Sequence, residues 1–205
     1  MKDQKETKAK LLASAKAEFS EKGYMHASLR NICKNAGVTT GALYFFFEDK
    51  EDLFASLVEA PLQELLGIVR KHYIEEEQLW DLPSSANLAD TSDDLNAARD
   101  IIHCLYQYRD AFLMLLTKSQ GSRFEICVEQ LVEFSEKHYR VLADRISEQM
   151  GVSRLDDYMI HWMSHMQADM FAHMITHEKS EKNALERIEL LVNFLVQGWF
   201  SMFQK

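Results

Sequence analysis

The chain has 205 residues, 47% of them apolar, with two prolines, seven glycines and a formal net charge of −9. That composition supports a sizeable core and favours long helices over a turn-rich β fold. No 18-residue apolar run exists to span a membrane, and the charged opening MKDQKETKAK lacks the apolar core of a secretion signal.

Cys33, Cys104 and Cys127 are scattered, odd in number and free of CxxC spacing. They read as reduced thiols of a cytoplasmic protein, not as a disulfide frame or a zinc set. The charge is unevenly placed. Residues 1–50 hold nine Lys/Arg and six Asp/Glu, a local charge of +3, whereas the remaining 155 residues hold fourteen and twenty-six, a charge of −12. A basic head on an acidic body suits a small nucleic-acid reader joined to a carrier domain.

In chain order, Leu12, Ala15 and Phe19 recur at helical spacing and predict a helix over 5–22 that Gly23 ends. Ser28 is placed to cap a short helix, LRNICKNA, whose apolar stripe is Leu29, Ile32, Cys33 and Ala36. Gly37 ends it, and Thr39 or Thr40 caps another short helix running to about Phe46. Asp49 can cap a fourth helix through Leu53, Phe54, Leu57 and Val58, bent at Pro61 and reaching about Gln78. The stretch 81–93, DLPSSANLADTSD, reads as a linker. Helices are then predicted over 93–107, 109–118 and 122–149, over 154–177 with Ser153 as cap, and over 181–204 with Ser180 as cap. The fold class is all-α, with about nine helices.

Two short helices joined by AGVT form a helix-turn-helix pattern, in which the second helix enters the major groove of DNA. A helix–Gly–helix pattern by itself is shared with any αα-hairpin. The wider stretch is more specific. Ala15, Phe19, Gly23, Tyr24, Ser28, Ile32, AGV, Gly41, LY, Phe47 and DKEDL, in that order within residues 11–54, resemble the N-terminal domain of the tetracycline-repressor (TetR) family of bacterial transcription regulators.

The resemblance implies a DNA-binding domain over 1–50 and an effector-binding and dimerisation domain over 51–205. It implies that Ser28 and Arg30 reach DNA from the first short helix. Thr39, Thr40, Gly41 and Ala42 would form the exposed start of the recognition helix, Tyr44, Phe45 and Phe46 its aromatic stretch, and Lys50 a phosphate contact. Helix N-terminal amides and hydroxyls suit phosphate, and a threonine can touch a thymine methyl. Leu43 and Phe47 read as core anchors, with Tyr44 and Phe45 outward and Phe46 open between the two. The chain departs from the family pattern at Phe46, where a His or another polar ring is common, and at Glu48, an anion beside the phosphate edge.

The helix over 181–204 is apolar nearly all round, which calls for burial on several sides. Met159, Met163, Met166, Met170 and Met174 form a seam on the preceding helix. Met159, Met163, Met170 and Met174 with Leu191, Leu195, Trp199 and Phe203 are therefore expected at a homodimer interface. A dimer would set two recognition helices about 34 Å apart, or a multiple, on a palindromic operator of double-stranded DNA. Tyr73, His103, Tyr106, Phe112, Phe124, Cys127, Phe134, Trp162 and Met166 are the candidate lining of a pocket for a small hydrophobic or aromatic effector.

His161, His165, Asp169, His173 and His177 step by four, which drifts about 40° per step, so the ladder cannot converge on one ion. No metal site or cofactor is expected, and no GxSxG, P-loop, HExxH or nucleotide fingerprint points to an enzyme. The expected function is a transcriptional regulator, a repressor released from its operator by effector. The alternatives are a DNA-binding dimer without an effector, and an all-α metal-binding protein or enzyme.

Overall fold

A computed structural model describes residues 2–80 and 91–204. Among these residues every regular element is helical. The order is α1 (Lys2–His26), α2 (Leu29–Ala36), α3 (Thr40–Phe46), α4 (Lys50–Trp80), α5 (Ser92–Gln107), α6 (Arg109–Lys118), α7 (Cys127–Met150), α8 (Asp157–His177) and α9 (Glu181–Ser201). The expected linker over 81–93 lies, up to residue 90, outside the described residues, and Ser92 already belongs to α5.

The chain packs as two compact units. The first holds the residues up to Gln63 and takes in Tyr108–Cys127, and the second holds Glu64–Gln107 and the residues from Val128 onward. The packing boundary therefore falls inside α4 and not at the expected residue 50, because α6 and the turns after it are part of the first unit's core.

In the first unit, α1 buries Leu11, Ala15 and Phe19, so the inward stripe starts at Leu11 and leaves Leu12 half-buried. Phe19 meets Phe54 edge-on at 5.0 Å, Tyr24 meets Phe54 at 5.3 Å, and Phe54 touches Phe124 at 5.9 Å. Such offset and edge contacts are the favoured aromatic geometry. Gly23 breaks α1 with φ 75° and ψ 163°, a region open almost only to glycine, and the chain makes one more turn to His26. At the start of α4, Asp49 accepts the Asp52 N–H at 2.8 Å while Asp52 accepts the Glu48 N–H at 3.0 Å, a reciprocal cap. The helix continues through Pro61, which is buried, to Trp80.

The expected helix over 122–149 begins only at Cys127. Residues 119–126 instead form successive turns around Gly121, at φ 83°, whose N–H donates to Glu125 at 2.9 Å. Phe124 and the Ser119 and Ser122 side chains are buried there, and the Arg123 backbone N–H donates to Glu51 at 2.9 Å. Burying Phe124 against Phe54 takes precedence over continuing the helix.

In the second unit, Leu142, Ala143, Ile146, Ile160, Met163, Trp199 and Phe203 make one apolar cluster. Ala98, Ile102, Met174, Ala184, Ile188 and Val192 make another. Helix α8 starts three residues later than expected. Asp156, not Ser153, caps it by accepting the Met159 N–H at 2.9 Å. The Ser153 and Leu155 carbonyls accept from Ser147 and Arg140, which holds the preceding segment out of the helix. No helix among the described residues is long and apolar enough to cross a membrane.

Two predictions concern this frame. Gly23→Ala forces a Cβ onto a backbone conformation that costs roughly 1–3 kcal/mol, and urea denaturation should report a loss of that size. The second concerns Tyr24, whose hydroxyl donates to Glu51 at 2.8 Å. Burial, with the Glu51 carboxylate beside it, pushes the phenol up to about 12. The folded chain thus holds this proton more tightly than the unfolded chain, where a tyrosine titrates near pH ~10. The contribution is complete below that pH and is lost as pH rises toward 12. Denaturation curves across this window should show a steeper loss for the wild-type chain than for Tyr24→Phe.

Candidate nucleic-acid interface

The site is built on two short helices that the first unit's core holds at both ends. Ser28 sits in extended backbone before α2 and its hydroxyl accepts the Asn31 N–H at 3.4 Å. The Ser28 N–H and the Asn31 side chain both donate to Glu18, at 3.1 and 3.5 Å. Glu18 is buried on α1, so an acidic side chain faces the positive end of α2, where it is stabilising. The Ser14 hydroxyl donates to the Ile32 carbonyl at 2.9 Å and ties α2 to α1. Gly37 then turns the chain with φ 68°, and its N–H and that of Val38 satisfy α2's last carbonyls.

Thr39 caps α3. Its hydroxyl oxygen accepts the Ala42 N–H at 3.2 Å, and Thr40 opens the helix itself. Leu43 and Phe47 are buried, four residues apart, as expected of anchors. Helical spacing then sends Thr40, Gly41, Tyr44 and Phe45 to the opposite face, where all four are exposed, Tyr44 by 58% and Phe45 by 69%. Ala42 and Phe46 are half-buried. Phe46 lies between its neighbours, edge-on to Phe45 at 5.0 Å and tilted against Phe47 at 6.4 Å. Arg30 is exposed on α2, and Glu48 is exposed beyond the end of α3.

Lys50 has a structural role besides the expected phosphate contact. Its ammonium donates to the Met25 and Ala27 carbonyls at 3.2 and 3.3 Å and stands 4.5 Å from the Tyr24 ring centre. Burial lowers its pKa below the usual lysine value. Lys50 therefore closes the end of α1 onto the start of α4, using two of its three N–H donors. Glu51 works beside it, accepting from Tyr24 with one oxygen and from the Arg123 backbone with the other. No local pattern marks these contacts, because their partners lie 23 to 72 residues apart in the chain.

The candidate pocket residues are divided between the two units. Phe112, Phe124 and Cys127 are buried in the first unit, with Phe124 against Phe54. In the second unit Trp162 is exposed, and His103 is exposed and paired with Glu181. Tyr106 donates to the Glu178 carbonyl at 3.0 Å beside one apolar cluster, and Met166 packs against the other. Tyr73 is buried, stacks on His138 at 3.9 Å, donates to Ser135 at 2.8 Å and lies 5.6 Å from Phe134.

The expected dimer seam is likewise corrected. Met163, Met174, Trp199 and Phe203 are buried in the second unit's own clusters, so they present no surface to a partner. Met159, Met170, Leu191 and Leu195 are half-buried. The exposed apolar side chains are Tyr158 and Trp162 on α8 and Leu190 and Phe194 on α9. Period 3.6 turns these away from the clusters, a phase that counting apolar residues did not resolve. Of the histidine ladder, His161 pairs with Glu136 at 3.3 Å and His165 with Glu129 at 3.7 Å. Among the described residues no group of three His, Cys, Asp or Glu is placed to hold a metal ion.

Residues 11–57 match the sequence pattern of "Bacterial regulatory proteins, tetR family". The HTH-type transcriptional regulator YfiR of Bacillus subtilis is 24% identical over 149 residues, 71% of this chain and 65% of that one. The HTH-type transcriptional repressor BepR of Brucella suis is 45% identical over 53 residues, 26% of this chain and 25% of that one. The chain thus covers less than two thirds of the length of these relatives. In three dimensions it is similar to the TetR-family regulator PfmR of Thermus thermophilus, with a TM-score of 0.60 and 17% identity over 91% of this chain and 93% of that one. That likeness concerns the fold. With its capped α2–α3 pair and its helical order, the chain is similar over residues 11–57 to the tetR family of bacterial regulatory proteins.

Proposed function

We propose that this protein is a dimeric transcriptional regulator that binds a palindromic operator and is released from it by a small hydrophobic or aromatic effector. The observation that carries the reading is α3. It is a short, capped helix whose Thr40, Gly41, Tyr44 and Phe45 stand outward while Leu43 and Phe47 hold it to the core. Such a face fits the major groove, with Ser28, Arg30, Thr39 and the remaining N–H of Lys50 set for the flanking phosphates. The reading function belongs to the head, up to about residue 50, and the sensing and pairing functions to the rest.

The apolar side chains exposed on α8 and α9 support pairing with a second copy, since single domains seldom leave such large groups in water without use. An effector reading is supported by the ring series Phe134, Tyr73, Tyr139 and Trp199 inside the second unit. The Trp199 indole N–H is buried there without a hydrogen-bond partner among the described residues, a donor for an effector that carries an acceptor. Helix α4 contributes to both units, so an effector with unequal affinity for two settings of α4 would shift DNA binding by that difference.

Two measurements test this. A binding titration across salt concentration on a duplex selected from random sequences should give a steep inverse slope. Arg30→Ala should flatten it by about one in log–log units per protomer. Binding that ignores sequence, with Arg30→Ala unchanged, would refute the reading. Sedimentation should find a dimer for the wild-type chain and a monomer for Leu190→Asp/Phe194→Asp, since two charges would be buried unpaired in the contact.

A further inference from the structure

The outward face of α3 is unusual in what it omits. Over Thr40–Phe46 the sequence is TGALYFF, with no Arg, Lys, Asn, Gln, Asp, Glu or His. The bidentate contacts that distinguish guanine and adenine in the major groove come from Arg, Lys, Asn and Gln, and the contact to cytosine from Glu or Asp. None of these can arise from this helix. The Thr39 hydroxyl oxygen already accepts the Ala42 N–H in the cap. What the helix offers most prominently is a hydrocarbon ring, Phe45, 69% exposed.

That ring is held. Gly41, four residues earlier on the same face, has no side chain to block close approach. Phe46 meets Phe45 edge-on at 5.0 Å and leans in turn on Phe47, which is buried. The three rings form a series from the core to the solvent, in which Phe46 braces one side of Phe45. Only one base presents an apolar group in the major groove, and that group is the thymine C5-methyl. A polar base edge set against the ring would lose its water and gain no hydrogen bond, which is a cost.

We infer that Phe45 is a specificity-determining residue that reads a thymine methyl group, so that each operator half-site carries a thymine opposite α3 selected by its methyl rather than by hydrogen bonds. The inference rests on the DNA-binding reading above and adds the chemistry of the base contact. Phe46 is the positioning residue that aims the ring.

The test uses the full-length protein. Selection from random-sequence duplexes gives the preferred site, and each dT in a half-site is then replaced singly by deoxyuridine, which keeps base pairing and removes one methyl. At one or two positions per half-site the affinity should fall about fourfold, the worth of one buried methyl group. Phe45→Ala should bind the thymine and uracil duplexes equally well while keeping the wild-type melting temperature, because the ring is exposed in the free protein. If no dT→dU replacement weakens binding, or if Phe45→Ala still prefers thymine, the assignment is overturned. If no sequence is enriched at all, the DNA-binding reading itself fails and takes the assignment with it, which separates the two failures.

Discussion

A helix of seven residues does not persist alone in water, because the cost of its first turn is spread over too few hydrogen bonds. Helix α3 exists because Leu43 and Phe47 are buried in the first unit and Thr39 caps its start. The rest of the site depends on that single attachment. Once the two anchors point inward, helical geometry places Thr40, Gly41, Tyr44 and Phe45 on the opposite side. The aromatic run Tyr44–Phe47 is thus one structural device, in which the inner ring holds the helix and the outer rings form its exposed face.

The frame behind α3 is assembled from contacts of another kind. Glu18 faces the start of α2, and Lys50 bonds the carbonyls at the end of α1. Glu51 collects Tyr24 and the backbone of Arg123. Charge-assisted hydrogen bonds of this sort are stronger than neutral ones and fix direction as well as distance. Their effect is to satisfy helix ends that would otherwise be left unpaired. Lys50 belongs to this frame through its two carbonyl partners, so the closure of α1 onto α4 depends on one ammonium group.

The second unit uses its abundant aromatic and methionine side chains mostly for its own packing. Met163, Met174, Trp199 and Phe203 fill clusters, and Tyr73 closes against His138 with Ser135 as hydrogen-bond acceptor. Among the described residues of this unit, what is left over includes Tyr158, Trp162, Leu190 and Phe194 on the surface of α8 and α9 and the unpartnered indole N–H of Trp199 inside. These leftovers, not the overall apolar content, are the groups available to a partner or an effector.

Local sequence determined most of the head. The helix classes, the caps at Ser28, Thr39 and Asp49, the turn at Gly37 and the burial of Leu43 and Phe47 all follow from neighbours within four residues, where propensity, capping and period act. Tertiary structure decided what local patterns leave degenerate. It chose Leu11 over Leu12 and delayed the helix expected from 122 to Cys127 in favour of burying Phe124. It turned Met163 and Met174 of the methionine seam inward and gave Lys50 its carbonyl partners. Each of these choices balances burial or hydrogen bonding between segments far apart in the chain, and a one-dimensional period carries no phase for such pairings.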